Sequence, residues 1–158
     1  MFNASVRLLI FRLDEQRYAL PLDAVVRVVR AVELTLLPGA PAIVLGAIDV
    51  QGSVVPVLSL RRRFGLAQSE IGPDDQFVLA RTASRAVALV IDEAQGVIEH
   101  PAGAIIDSTE ILPGVGHFRG VVKLEDGLVL IHDLDKFLSL DEASALDDAM
   151  GQEAADEA

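Results

Sequence analysis

The 158-residue chain carries an internal repeat. Residues 8 to 28, LLIFRLDEQRYALPLDAVVRV, align at a constant offset of 69 with 77 to 97, FVLARTASRAVALVIDEAQGV, pairing Leu20 with Leu89, Leu22 with Ile91, Asp23 with Asp92 and Val28 with Val97. A second pair, GAIDVQGSVVPVLSL from Gly46 and GVVKLEDGLVLIHDL from Gly120, repeats at an offset of 74 and matches Ser59-Leu60 with Asp133-Leu134. Two alignments in the same order predict one fold made of two homologous half-barrels, with the seam between them as the working surface. Leu20 and Leu89, and likewise Val57 and Ile131, are then expected at equivalent core positions.

Strand signals dominate both copies. Residues 5 to 13 and 17 to 22 flank the polar trio Asp14-Glu15-Gln16, and a Val-rich run at 25 to 32 follows. Pro38-Gly39-Ala40-Pro41 makes a loop, 43 to 50 and 53 to 58 a hairpin around Gln51-Gly52, and Ser59 caps a short helix closed by Gly65. The polar stretch Ser69 to Asp75 links the halves. Strands near 76 to 82, 85 to 91, 96 to 99, 118 to 124 and 127 to 132 repeat the order, a longer insert fills 100 to 117, and Asp133 is expected to open a helix running to about Ala149. The fold class is therefore mainly β, two pseudo-symmetric sets of five short strands with short helices and a C-terminal helix. The expected division is a first lobe at about 5–68 and a second at about 76–140. Side chains fill barrels of this size, which argues against a buried cofactor.

Composition narrows the classes. Hydrophobic residues make up 51% of the chain and aromatics 4%, with no Trp, so the interior is expected to rest on Val, Leu, Ile and Ala. The absence of Cys excludes disulfides, thiolate metal sites and a cysteine nucleophile, and suits a reducing cytoplasm. MFNASVRLLIFRLDEQ holds neither a secretory h-region nor a spanning segment, so a cytoplasmic protein without membrane insertion is expected. Of the 24 acidic residues, seven lie after Leu140 with no base among them, leaving 17 acids against 13 bases in the body. Residues 141–158 read as an acidic C-terminal helix end and tail, solvated and frayed, and the body has no electrostatic footprint for nucleic acid or an anionic membrane.

Catalytic patterns are absent from the sequence. His100, His117 and His132 have no ligand spacing and read as surface or strand-end residues. Asp92-Glu93 and Asp133 with Asp135 follow strands, where capping is their expected role. Ser53 and Ser59 lack a nucleophile-elbow context, and no glycine-rich phosphate loop exists. No enzyme, metal or cofactor is indicated. The remaining alternative is a small-ligand binding protein or hydrolase that uses the seam, with one of the histidines beside it.

Taken together, Tyr18-Ala-Leu-Pro-Leu22, Val25-x-x-Val28, Leu37-Pro38, Pro41, Gly46-x-Ile48, Gly52-x-x-x-Pro56-Val57-x-x-Leu60-Arg61 and Phe64-Gly65 resemble the first half of a CheW-like chemotaxis coupling protein. Val90-Ile91-Asp92, Gly96-Val97, Leu112-Pro113, Gly120-Val121, Ile131 and Asp133-Leu134 match the second half. The resemblance covers about residues 5 to 140. It implies two five-stranded SH3-like barrels and a non-enzymatic adaptor. Such an adaptor bridges the cytoplasmic tip of a methyl-accepting chemoreceptor to the regulatory domain of a CheA-type histidine kinase. It also implies a receptor interface at Val25, Arg27, Val28, Asp49, Gln51, Gly52 and Val97. A kinase interface is expected around Leu37, Val44, Gly46, Pro56 and Leu58.

Two departures fall on the receptor-facing positions. The family hairpin at 49 to 52 usually reads Asn-x-Arg-Gly, and a Glu usually stands between Val25 and Val28; here the residues are Asp49, Gln51 and Arg27. Arg27 and Asp49 are expected on neighbouring strands, close enough to pair with reversed polarity. Either a divergent partner or drift at exposed sites accounts for the change.

Overall fold

The computed structural model describes residues 4–107 and 118–156, so Leu112-Pro113 and His117 lie outside the described residues. Eleven strands are formed among them: β1 (Ser5–Leu13), β2 (Gln16–Pro21), β3 (Val25–Arg30), β4 (Val44–Val50), β5 (Ser53–Leu58), β6 (Gln76–Arg81), β7 (Ala86–Ile91), β8 (Glu93–Pro101), β9 (Ile106–Asp107), β10 (Phe118–Leu124) and β11 (Gly127–His132). They build a five-stranded sheet, β3-β6-β7-β5-β4, and a six-stranded sheet, β8-β1-β2-β11-β10-β9. The short β9 is the strand that the sequence did not show.

The repeat is real, but the sheets do not follow the halves. Replacing each strand of β3-β6-β7-β5-β4 by its repeat partner gives β8-β1-β2-β11-β10, the order found in the larger sheet. Registers agree residue by residue. Leu8 pairs with Pro21 as Phe77 pairs with Val90, and Ile131 pairs with Ala19 as Val57 pairs with Ala88. The bulge between Val25 and Arg27 opposite β6 recurs where Ala94 and Gly96 face β1. Each hairpin, β1–β2 or β6–β7, has thus crossed into the sheet of the other half. The expected lobes at 5–68 and 76–140 are corrected accordingly: the smaller sheet is contiguous from Val25 to Ile91, and the larger joins 5–21 to 93–132. The pattern of apolar residues specifies strands and their faces, whereas partner choice between two nearly identical hairpins is a tertiary matter that periodicity does not encode.

Alternation along β1 and β2 explains their nearly continuous apolar runs. Leu9, Phe11, Leu13, Tyr18 and Leu20 face a central cluster that also receives Val78, Ala80, Val87, Leu89 and Ile91 from the other sheet. Leu8, Ile10 and Ala19 point the other way, into an interior shared with Val122, Val129 and Ile131. Phe77, Leu79 and Ala88 do the same with Ile48, Val55 and Val57. The seam is therefore a packed core, which corrects its expected role as a working surface. The few aromatic rings also gather here: Tyr18 and Phe64 lie 4.8 Å apart, Phe64 and Phe118 4.9 Å. His132, read as a surface or strand-end residue, closes β11 and is fully buried there, edge-on to Phe64 and Phe137.

Helix α1 (Leu60–Phe64) starts at Ser59, whose Oγ accepts the Arg62 N–H at 3.1 Å, and ends at Gly65 in the left-handed region. The C-terminal helix begins later than expected. Leu134–Lys136 form a 3₁₀ turn, and α2 (Leu140–Asp156) opens at a capping box in which Glu142 N–H donates to Ser139 Oγ and Ser139 N–H to Glu142 Oε1. Nor is the acidic segment a frayed tail. Leu146 and Ala149 are buried in the central cluster, and Glu142 accepts two bonds from Arg63 Nη2 at 2.6 and 2.7 Å. One apolar residue per turn suffices to dock a helix whose outer face is acidic, a signal hidden by the charge count.

Candidate functional site

The edge strand β3 and the β4–β5 turn meet in a groove of about 320 Å³. The bulge leaves Val26 unpaired and 60% exposed, with Arg27 beside it. Val50 and Gln51 form the opposite wall, Arg81 and Ala86 the end, and Val55, Leu79 and Val87 the buried floor. Two strands at opposite ends of the hydrogen-bonded order line one groove, so the sheet curls back on itself.

Of the residues expected at a receptor interface, Arg27 and Gln51 are brought together here. Gln51 and Gly52 both have positive φ, 51° and 89°, as a two-residue hairpin turn requires, and nothing lies within 4 Å of a Cβ added at Gly52. Asp49 acts within the turn itself, where its Oδ1 accepts the Gly52 N–H at 2.9 Å and holds the chain in shape. The expected Arg27–Asp49 ion pair is not formed among the described residues: β3 and β4 stand at opposite ends of the strand order rather than side by side, and the Asp49 carboxylate is turned to the Gly52 N–H. Val25 and Val28 are half-buried against the central cluster. Val97, the repeat partner of Val28, is half exposed on β8, the corresponding edge of the larger sheet.

The expected kinase interface fares differently. Leu37, Val44 and Leu58 belong to the central cluster and Pro56 is buried beside Val57. A Cβ at Gly46 would lie 2.7 Å from the Thr35 carbonyl oxygen, so this glycine serves the Thr35–Ala47 bridge. All five residues are structural, and the apolar side chains exposed nearby are Leu36 at 80% and Val32 at 55%. A strand buried on both faces reads as apolar whether or not it meets a partner, so packing and recognition leave the same mark in the sequence.

A charged cluster that sequence reasoning did not assemble ties the two sheets together. Arg61 of α1 donates to Asp14 in the β1–β2 turn at 2.8 and 3.1 Å, to both oxygens of Asp92 at 2.9 and 3.0 Å, and to the Ala67 carbonyl at 3.1 Å. Asp92 also accepts the Asp14 N–H at 2.7 Å and an Arg12 bond at 3.4 Å. The hydrogen bond from Arg61 holds the Asp14 carboxyl below its ordinary range, and the same contacts raise the Arg61 pKa. At the repeat-related place, Asp135 takes the position of Arg61 and accepts the Ala83 N–H at 2.9 Å. The signal lay in the broken repeat, an Arg where its partner copy has an Asp.

His100 on β8 and His132 on β11 are separated by β1 and β2, and among the described residues no group of three His, Asp or Glu side chains could hold a metal ion. No helix among them is long and apolar enough to cross a membrane.

Comparison with known proteins places these features in context. A family model for the CheW-like domain matches residues 7–142. The chemotaxis protein CheW of Treponema pallidum is 24% identical over 150 residues, 91% of this chain and 88% of that protein. The chemotaxis protein CheW of Rhizobium meliloti is 26% identical over 145 residues, covering 90% and 94%. The protein FrzA of Myxococcus xanthus is 32% identical over 96 residues, 61% of this chain and 60% of that one. The crystal structure of the scaffolding protein TtCheW from Thermoanaerobacter tengcongensis shares the fold, with a TM-score of 0.79 at 22% identity over 89% of this chain and 92% of that one.

Proposed function

The chain belongs to the CheW-like domain family, and from that premise we propose that it is a non-catalytic adaptor coupling chemoreceptors to a CheA-type histidine kinase. The observation that carries the reading is the family match through both sheets, from residue 7 to residue 142. The geometry supports it. The centre of the seam is filled by apolar side chains, while recognition-sized features lie at strand edges.

The receptor face in this reading is β3 with the β4–β5 turn and Val97: Val25, Arg27, Val28, Gln51, Gly52 and Val97, with Asp49 holding the turn in shape. The kinase regulatory domain docks on the exposed apolar side chains of the β3–β4 connection, Val32 and Leu36. Transient signalling contacts bury modest areas and depend on a few apolar anchors of this kind. The alternative of a small-ligand enzyme at the seam has no observation in its favour. Mixing the protein with a receptor signalling hairpin and with the regulatory domain of a CheA-type kinase tests the proposal. The expected result is recovery of a ternary complex by gel filtration or pull-down; a protein that binds neither component overturns it.

A further inference from the structure

The groove beside β3 carries a charge mismatch with the rest of the molecule. The chain has a net charge of −11, and Arg12, Arg17, Arg61, Arg63 and Arg85 are each matched to a carboxylate. Arg27 and Arg81, both exposed on the groove's rim, are among the seven Lys and Arg residues with no ion pair among the described residues, and no Asp or Glu lines the groove beside them. Between them stands Val26, left 60% exposed by the bulge, above a floor of Val55, Leu79 and Val87. Exposed arginines around an apolar centre match the anatomy of a recognition patch, with an apolar anchor and a charged rim.

We propose that this groove binds a partner helix that presents an apolar side chain flanked by carboxylates, the apolar group seating against Val26 and Val50 and the carboxylates meeting Arg27 and Arg81. The inference rests on the reading of β3 as the receptor face and adds the polarity of what docks there. An overall acidic protein repels an acidic partner at long range, so two unmatched arginines at the point of contact set both register and selection. Bidentate guanidinium–carboxylate geometry gives each contact direction as well as charge.

The test uses the full chain and two versions of one receptor signalling hairpin, identical except that the positions flanking the apolar contact stripe carry Glu in one and Lys in the other. The Glu hairpin is expected to bind at least about tenfold more tightly at low salt, with the difference shrinking as ionic strength rises. In the double variant Arg27→Glu/Arg81→Glu the preference should reverse. Both arginines are exposed, and an unchanged thermal melt verifies the fold. Equal binding of the two hairpins, each weakened by Val26→Asp, overturns the polarity while leaving the β3 receptor face standing. If neither hairpin binds while the kinase regulatory domain is still captured, the receptor face itself is misplaced and the inference falls with it.

Discussion

Leu146 decides whether the acidic C-terminal helix is part of the folded body. Its side chain is fully buried in the central cluster, one turn before Ala149, which is buried in the same cluster. Burying a leucine side chain contributes about 1.5–3 kcal/mol by transfer alone, and truncation to Ala adds the cost of the cavity, so Leu146→Ala should destabilise by about 2–5 kcal/mol. For a chain of this size each kcal/mol moves Tm by about 2–4 °C, so a loss of about 3 kcal/mol lowers Tm by about 6–12 °C. Leu140, on the same helix but 91% exposed, is the internal control, and Leu140→Ala should stay within about 0.5 kcal/mol. Urea denaturation followed by circular dichroism measures both, the midpoint falling for Leu146→Ala with little change in slope. Truncation after Ala145 should cost at least as much, since it removes Leu146 and the contact between Asp147 and Arg85 as well. If Leu146→Ala behaves like Leu140→Ala, the helix is not docked and the reasoning fails.

Gly46→Ala should destabilise by about 1–3 kcal/mol because its Cβ would meet the Thr35 carbonyl oxygen at 2.7 Å, and Gly120→Ala should cost a similar amount against Ile106; a neutral melt for either refutes the close approach. Val44→Asp places a carboxylate in the central cluster and should abolish folding rather than selectively weaken kinase binding, which a far-ultraviolet spectrum decides. Three carboxyls are held below their ordinary range: Asp14 by Arg61, Asp126 by Arg17, and Glu142 by the Ser139 N–H and Arg63, which together outweigh the upward push of burial there. A depressed carboxyl stabilises the fold above its unfolded pKa of about 4 and loses that contribution as pH falls through the folded value, so stability should drop on acidification below about pH 4. Arg61→Ala should lower stability at pH 7 and make that drop shallower; parallel curves for the variant and the parent would show that the cluster is not coupled to protonation.

The strands were legible because alternation and turn residues are local signals. Asp14-Glu15 and Gln51-Gly52 mark hairpins by chemistry that works within four residues, and Ser59 and Gly65 delimit α1 in the same way. The duplication was legible because offsets of 69 and 74 survive in the register of the paired strands. What stayed hidden depends on which element meets which. The exchange of hairpins leaves each strand's own pattern untouched, and Leu146, Ala149 and Met150 make only a narrow apolar stripe in an acidic helix, too sparse to announce a docked face. Val44 and Leu58 looked like interface candidates because apolar residues near loops suit both a core and a contact, and only burial separates the two. Asp49 was placed on the right turn but paired with Arg27 rather than with the Gly52 amide, since a carboxylate that caps a neighbouring amide has the same letter as one that waits for a cation.

The crossing of the two hairpins has a consequence for how the chain is born. The smaller sheet is complete once residue 91 has left the ribosome, and it can close while synthesis continues. The larger sheet cannot: its β1–β2 hairpin emerges first, yet its neighbours β8 and β11 come only with residues 93 to 132. At about 5–20 residues per second the hairpin waits several seconds or longer with both flanks unpaired and Leu8, Ile10 and Phe11 uncovered. A two-stranded ribbon is marginal alone, so the nascent N-terminus is the stretch on which a ribosome-bound chaperone would act. Slowing translation between residues 91 and 132 should therefore lower the yield of folded protein, while the same pause after 132 should not.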